Sequence, residues 1–248
     1  MPWTRLLRRA GIAAGLLLLS ASPAEAQWYV GAQFGANRTQ AAEVTVDAAS
    51  QGIAQQFHDV QFDSRAFSSP PYYGWRVGRV LGQSRGLTFA LEMEFMHSKV
   101  YADTGRTYVV TPIGTGTPST TFAAMNDTVQ RLNMSHGLNF VLANLVLQAP
   151  LSHSAGAPVR LDVRAGIGPT IPHVESTVLG ESREQYEYGG MAFGAGVGVS
   201  IHLVGPISAL TEYKVTFARP EVDLARGTGR VSVFMHHVVG GIVVRLTR

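Results

Sequence analysis

Apolar and polar residues alternate along much of this chain, most regularly from Ile207 to Phe217. In that run the odd-numbered positions are mainly apolar, whereas the even-numbered positions include Glu212 and Lys214. Successive residues of a β-strand point to opposite faces, so the run predicts a strand with one apolar and one charged face. An apolar face turned outward and charges turned inward are typical of a barrel that stands in lipid.

The same alternation predicts eight strands. They cover about residues 27–37, 72–81, 87–100, 130–148, a strand from 159, one around 193–201, 207–218 and 231–246. Short turns at 82–86, 149–158 and 205–206 alternate with long outer loops at 38–71, 101–128, 175–187 and 219–230. Pro169 and Pro172 predict a bulge or an early end of the fifth strand, because proline cannot donate to the ladder. We therefore expect an all-β, eight-stranded, antiparallel up-and-down transmembrane barrel with long extracellular loops and an interior filled by side chains.

The amino terminus has the features of a secretory signal. Three arginines precede an apolar run at 10–19, and Ala24-Glu25-Ala26 supplies the small residues that signal peptidase requires. Cleavage between Ala26 and Gln27 would leave residues 27–248 as a single barrel domain, which we expect in the bacterial outer membrane. The absence of cysteine excludes disulfides and thiolate metal sites. Removal of the three arginines and Glu25 with the signal lowers the formal net charge from +3 to +1, so no nucleic-acid partner is expected.

Many of the predicted inward positions carry charge. They are Glu92, Glu94, Arg160, Asp162, Arg164, Glu212, Lys214 and Arg245. An unpaired charge inside a packed barrel is costly, so we expect these side chains to form an ion network in the lumen. A proton or ion path is the alternative.

Histidines gather at one end of the predicted barrel. Strands that rise to the outside end at His97 and His173, and strands that descend begin near His136 and His236-His237. Glu175, Glu187, Glu221 and Asp223 fall at the same level. Such a group could bind a divalent metal, titrate or bind phosphate, whereas any single interfacial histidine is better explained by solvation or hydrogen bonding. Adjacent strand residues face opposite sides, so we expect His237 inward and His236 at the lipid edge.

The mature chain resembles small outer-membrane barrels of the opacity-protein and OmpA-like type. Its second half also resembles the lipid A oxidase family over about residues 130–248, through Ser135-His136-Gly137-Leu138-Asn139, the run from Gly166 to Glu175, Thr211-Glu212-Tyr213-Lys214 and His236-His237. That resemblance implies oxidation of the proximal glucosamine of lipid A to aminogluconate by molecular oxygen, with a divalent metal ion. The catalytic candidates are then His136, His173 and Glu175, and the metal ligands His136, His173 and His237. No flavin or nicotinamide site is expected, since Gly194-x-Gly196-x-Gly198 lacks the helix that a dinucleotide site requires.

Three other functions are compatible with a small barrel. A non-catalytic barrel with a structural or surface-adhesion role is the main alternative, because fold does not establish activity. Lipid A deacylation is disfavoured, since Ser135 and His136 are adjacent and would point to opposite faces. A narrow solute channel is disfavoured by the charge-filled lumen. The expected partners are lipopolysaccharide and the barrel assembly machinery, and the chain is expected to be monomeric.

Overall fold

The computed structural model describes residues 27–114, 120–151 and 159–246. The predicted signal peptide, Ala26 included, lies outside these residues, as does most of the predicted 149–158 turn. The strands are β1 (Trp28–Thr39), β2 (Ala42–Ala48), β3 (Ile53–Val60), β4 (Phe62–Asp63), β5 (Tyr73–Ser84), β6 (Leu87–Ala102), β7 (Thr107–Pro112), β8 (Thr121–Ala124), β9 (Val129–Pro150), β10 (Val159–Val178), β11 (Glu181–Tyr186), β12 (Met191–Val204), β13 (Ile207–Ala218), β14 (Glu221–Asp223), β15 (Thr228–Val231) and β16 (Val233–Leu246). Two 3₁₀ turns lie at Ala49–Gln51 and Met125–Asp127. Within the described ranges, no helix has the length and apolar character needed to cross a bilayer.

Eight of these strands close into a barrel. In order around the wall they are β1, β5, β6, β9, β10, β12, β13 and β16, each paired antiparallel with the next. The barrel closes where β16 pairs with β1, from Trp28 opposite Leu246 to Thr39 opposite Met235. The predicted eight-stranded up-and-down barrel is therefore confirmed. An even strand number with short turns at one end places that end in the periplasm.

The outer surface of the barrel is apolar around its whole circumference. Every barrel strand exposes large apolar side chains, including Phe34, Trp75, Leu91, Leu145, Ile167, Phe193, Tyr213 and Val238. Because soluble domains do not expose apolar surface on this scale, the band is the surface that contacts lipid. Aromatic side chains mark both borders of the band, with Trp28 at the periplasmic end and Phe217 at the outer end.

Segments that the sequence predicts as irregular loops are partly ordered strands. β14, β15, β2, β3, β7 and β8 pair in that order into a second, six-stranded sheet at the outer end. Val44, Val46 and Phe57 are fully buried against residues of the barrel interior such as Leu138 and Phe140. The prediction of irregular loops is wrong here. Apolar residues that alternate within these segments are buried in the core at the outer end of the barrel, and this burial stabilises them as strands.

The fifth barrel strand has the irregularity predicted near its prolines, since its register with β9 shifts between Pro172 and Glu175, but it does not end early. β10 does not end at Pro169 or Pro172 but continues to Val178 and turns into β11 through Leu179-Gly180, so most of the predicted 175–187 loop is a hairpin. The prolines mark a change of neighbour, because pairing with β12 ends at Pro169 and pairing with β11 begins at His173. A residue without an N–H is tolerated at such a break in the ladder.

Candidate functional site

A bulge in β9 shapes the outer end of the barrel wall. Asn133 and Leu138 pair with Glu175 and Pro172 of β10, so four residues of β9 lie opposite two of β10. Gly137 lies within the bulge with φ of +111°, and a Cβ there would come 2.4 Å from Asn139 Oδ1. The bulge therefore depends on glycine at this position.

The bulge brings His136 to three side chains of the β10–β11 hairpin. His136 Nδ1 lies 3.3 Å from Glu175 Oε1, and His173 Nδ1 lies 3.8 Å from the same oxygen. His173 Nε2 lies 3.4 Å from Glu184 Oε1. The imidazole rings of His136 and His173 meet edge to face, 4.8 Å apart. One ligand atom from each of the four residues falls within 4.8 Å of every other, so a single ion could contact all of them. His136, His173, Glu175 and Glu184 are called the outer-wall cluster below.

The outer-wall cluster faces away from the lumen. On β10, Val174 and Val178 belong to the interior core, whereas Ile167 and Ile171 are exposed on the lipid side. His173 and Glu175 share the parity of Ile171 and so lie on the outer face. Glu184 pairs directly with Glu175 and therefore shares that face.

The height of the outer-wall cluster follows from the apolar band. Ile171 is the last large apolar side chain that β10 exposes to lipid. His173 lies two residues farther along, about 7 Å at the usual strand rise. The polar layer on each side of a bilayer's hydrocarbon core is of similar thickness, roughly 5–8 Å. The outer-wall cluster therefore lies at the level of the outer-leaflet headgroups, beyond the membrane-spanning part of β10.

Electrostatics at the outer-wall cluster suit a cation. Burial of the ring and the neighbouring His136 lower the pKa of His173, while Glu184 acts in the opposite direction. A lowered pKa favours the neutral imidazole that coordinates metal. His173 Nδ1 is buried and has no hydrogen-bond partner among residues 27–114, 120–151 and 159–246. Two imidazoles and two carboxylates match the donors that hold divalent transition metals such as iron, manganese or zinc.

Two further side chains touch Glu175. The exposed guanidinium of Arg131 forms an ion pair with Glu175 Oε2. The hydroxyl of Ser135 donates to Glu175 Oε1 and lies 3.1 Å from His136 Nδ1. The expectation that Ser135 and His136 point to opposite faces is wrong, because the bulge interrupts strand alternation. Even so, the serine and the carboxylate meet the same imidazole nitrogen, whereas a nucleophilic triad needs them on opposite nitrogens.

Not every predicted rim histidine joins the outer-wall cluster. His237 faces the lumen, as predicted, but it is fully buried with Nδ1 3.3 Å from the Tyr72 hydroxyl and Nε2 2.9 Å from Thr216 Oγ1. Its expected role as a metal ligand is therefore wrong. His236 contacts Gln40 and Tyr213 on the outside of β16.

The remaining rim candidates also have other partners. His97 stacks on Tyr73 and lies 2.9 Å from Asn139 Oδ1. Glu187 accepts a hydrogen bond from the backbone of Asp223, and Glu221 pairs with Arg230. Sequence reasoning missed Glu184. The available signal was Gly180, whose turn folds Glu184 back onto Glu175.

A second group of charges fills the middle of the lumen. Arg76 contacts Glu94 at 3.1 Å and Glu212 at 3.2 Å, while Arg164 Nε lies 3.4 Å from Glu92. Lys214 pairs with Glu94 and Glu212. This set, named the lumen network, comprises Arg76, Arg164, Lys214, Glu92, Glu94 and Glu212. Its three cations balance its three carboxylates.

The lumen network differs from the predicted one in membership. Sequence reasoning missed Arg76, which is 1% exposed. Asp162 is buried but accepts from Gln148 Nε2 at 2.6 Å instead of a cation. Arg160 and Arg245 form no ion pair within the described part of the chain, so their expected place in the network is wrong. They line the lumen nearer the periplasm.

The closed barrel, its apolar outer band and its charged, filled interior define a β-barrel protein of the bacterial outer membrane. Neither a protein-family model nor a curated protein matches the chain.

Solved structures with a similar fold include three outer-membrane proteins. The outer membrane protease OmpT from Escherichia coli is 9% identical, with 92% of this chain and 98% of that chain covered and a TM-score of 0.44. The outer membrane protein AlkL is 10% identical over 92% and 94%, with a TM-score of 0.41. Neisserial surface protein A is 10% identical over 88% and 97%, with a TM-score of 0.35. At these identities the comparisons concern fold and carry no functional argument.

Proposed function

We propose that this protein is a metal-dependent enzyme that oxidises the proximal glucosamine of lipid A at the outer leaflet. The observation that carries the proposal is the outer-wall cluster, a set of four metal-binding side chains turned toward lipid at headgroup height. The resemblance of residues 130–248 to lipid A oxidases concerns the same segments, since it includes His136, His173 and Glu175.

The position of the outer-wall cluster suits a lipid substrate. A sugar headgroup anchored by acyl chains would reach an outward-facing site by lateral diffusion, without entering the lumen. Tyr186 stands beside the cluster, with its ring centroid 4.3 Å from that of His173, and is 60% exposed. An exposed aromatic ring at this level offers a face on which a sugar can pack.

The reaction balances with oxygen as the oxidant. The hemiacetal carbon C1 of glucosamine loses its hydrogen and the attached hydroxyl loses its proton, giving a lactone. The two electrons pass to molecular oxygen, which leaves as hydrogen peroxide, and water opens the lactone to aminogluconate. The product therefore carries one oxygen atom more than the substrate.

Each residue of the outer-wall cluster has a part in this scheme. His136, His173 and Glu175 would hold the metal ion, a two-histidine, one-carboxylate set. A bound transition metal would supply the redox chemistry that oxygen requires. Glu184, with a side chain 56% exposed, is placed to accept the proton of the C1 hydroxyl. Arg131 forms an ion pair with Glu175 from the outer side and would compete with the metal ion for that carboxylate.

Mass spectrometry of lipid A tests the proposal. The full chain is expressed in a Gram-negative host whose lipid A has a free C1 hydroxyl and lacks the modification, and we expect an increase in mass of one oxygen under aerobic growth only. His173→Ala should abolish the increase. His236→Ala is the matched control, because His236 is also a rim histidine but lies outside the cluster. An unchanged spectrum from a properly inserted wild-type barrel would overturn the proposal.

A non-catalytic surface role is the second candidate. It is favoured by the six-stranded outer sheet, which presents an ordered surface away from the membrane. This function predicts that lipid A is unmodified and that deletion of outer-sheet segments affects surface interactions while substitutions in the outer-wall cluster do not.

A further inference from the structure

The periplasmic end of the lumen contains a basic pocket. Its volume is about 250 Å³, and it lies beside the Gly205-Pro206 turn that joins β12 to β13. The polar side chains that line it are Arg160, Arg245, His202, Ser200 and Ser208. These five residues, named the basal pocket, share the inward parity of their strands.

The basal pocket carries positive charge that the barrel does not neutralise. The lumen network above it uses all of its own charges, because three cations meet three carboxylates. One further inward carboxylate, Asp162, lies between the two regions and accepts a hydrogen bond from Gln148. The pocket has two positive charges, on Arg160 and Arg245, and neither side chain forms an ion pair within the described part of the chain. A surplus of at least one positive charge remains.

One guanidinium nitrogen in the basal pocket is buried away from water. Arg160 Nη1 is buried and has no hydrogen-bond partner among the described residues. A buried donor on a charged group that lacks a partner is costly, and the cost is recovered when an anion accepts from it. Two guanidinium groups with hydroxyl donors nearby are a common arrangement for oxyanions, because each guanidinium offers a planar pair of N–H groups.

We propose that the basal pocket binds a phosphate-class anion, either inorganic phosphate or a phosphomonoester, supplied from the periplasm. Arg160 and Arg245 supply the charge, and the hydroxyls of Ser200 and Ser208 with the His202 ring supply further hydrogen bonds. The closed strand ladder separates the pocket from the bilayer, so a soluble anion entering through the periplasmic mouth is the occupant. The site is independent of the outer-wall cluster and of any activity on lipid A.

Calorimetric titration with inorganic phosphate tests the site. The protein used is residues 27–248, refolded into vesicles. We expect saturable binding with one phosphate per chain. Arg160→Gln and Arg245→Gln should each weaken it roughly tenfold or more, since a hydrogen bond to a charged group is lost in each. Arg85→Gln is the matched control, because Arg85 lies in the periplasmic turn between β5 and β6, outside the pocket. Wild-type binding that is absent, or that both pocket variants retain at full strength, would overturn the proposal.

Thermal unfolding gives a readout that does not depend on the calorimetric signal. Phosphate should raise the unfolding midpoint of the wild type and of Arg85→Gln, because a ligand that binds only the folded state stabilises it. The same additions should leave Arg160→Gln unchanged. An equal rise in all three proteins would contradict a specific site.

Vesicle composition distinguishes the two sources of phosphate. Binding that is equal in phosphatidylcholine vesicles and in vesicles containing phosphatidylglycerol supports a soluble ligand. Competition by phosphatidylglycerol would overturn the assignment to the periplasm and identify a lipid headgroup as the source.

Discussion

The outer-wall cluster and the lumen network both combine carboxylates with basic side chains, yet they are organised differently. In the lumen network permanent cations contact every carboxylate, so the charges neutralise one another. In the outer-wall cluster the partners of Glu175 and Glu184 are mainly imidazoles, which bear no permanent charge. The first arrangement is complete without a ligand and stabilises the barrel. The second leaves negative charge and imidazole nitrogen available to a cation.

The largest expected effect comes from removal of one cation from the lumen network. Arg76→Met leaves three buried carboxylates with two cations, and breaking a buried ion set in this way costs about 3–5 kcal/mol. Urea unfolding of the protein in vesicles would measure the loss. Arg79→Met is the control, because Arg79 lies on the outer face over the Trp28 ring and should cost about 1 kcal/mol at most. Equal losses in the two variants would show that the lumen network is not a stabilising unit.

The next effect falls on the bulge that forms the outer-wall cluster. Gly137→Ala requires a side chain at φ of +111° and places its Cβ 2.5 Å from His97 Nδ1. We expect a loss of about 1–3 kcal/mol in unfolding free energy and weaker metal binding, because a strained or rebuilt bulge moves His136. Gly240→Ala provides the comparison, since its nearest contact would be 3.9 Å away. Retention of both stability and metal affinity in Gly137→Ala would contradict this account of the bulge.

A smaller effect is expected when Glu184, the carboxylate beside the three proposed metal ligands of the outer-wall cluster, is neutralised. Glu184→Gln should lower the affinity for Mn²⁺ or Zn²⁺ about tenfold, within the range for changes around metal ligands. Unfolding free energy should stay the same, because the Glu184 side chain is half exposed. Competition with a chromophoric chelator measures the affinity, with Glu187→Gln as the control carboxylate. If both variants bind metal as the wild type does, Glu184 does not belong to the site.

The smallest expected effect concerns Arg131. Its ion pair with Glu175 is exposed on the arginine side, so Arg131→Gln should change the unfolding free energy by less than about 1 kcal/mol. Metal binding should become a few-fold tighter, because the carboxylate then has no competing cation. The same competition with a chromophoric chelator shows whether the metal affinity rises or falls. Weaker binding would indicate that Arg131 orients Glu175 for the metal instead of competing with it.

Side-chain facing could be predicted well from sequence in the regular stretches of strand, because there it depends only on alternation. Glu212 and Lys214 point inward between the outward Thr211, Tyr213 and Val215, as their pattern predicts. Arg76 follows the same rule, alternating with the outward Trp75 and Val77, so the information was present although the prediction did not include it. Pairing among the inward charges was less predictable, because it depends on the height at which neighbouring strands place them.

The sequence by itself determined the barrel and, outside the fourth and fifth strands, which residues face lipid, because a period of two along a strand needs no knowledge of the other strands. It also brought His136, His173 and Glu175 to the outer end. Only the tertiary structure decided that Glu184 completes their cluster and that His237 does not. The physical reason is that the composition of the cluster depends on how strands pair. The bulge puts two more residues in β9 than in the facing part of β10, and β11 folds back onto β10. Both features concern pairing between strands, so they cannot be predicted from the alternation of residues along one strand.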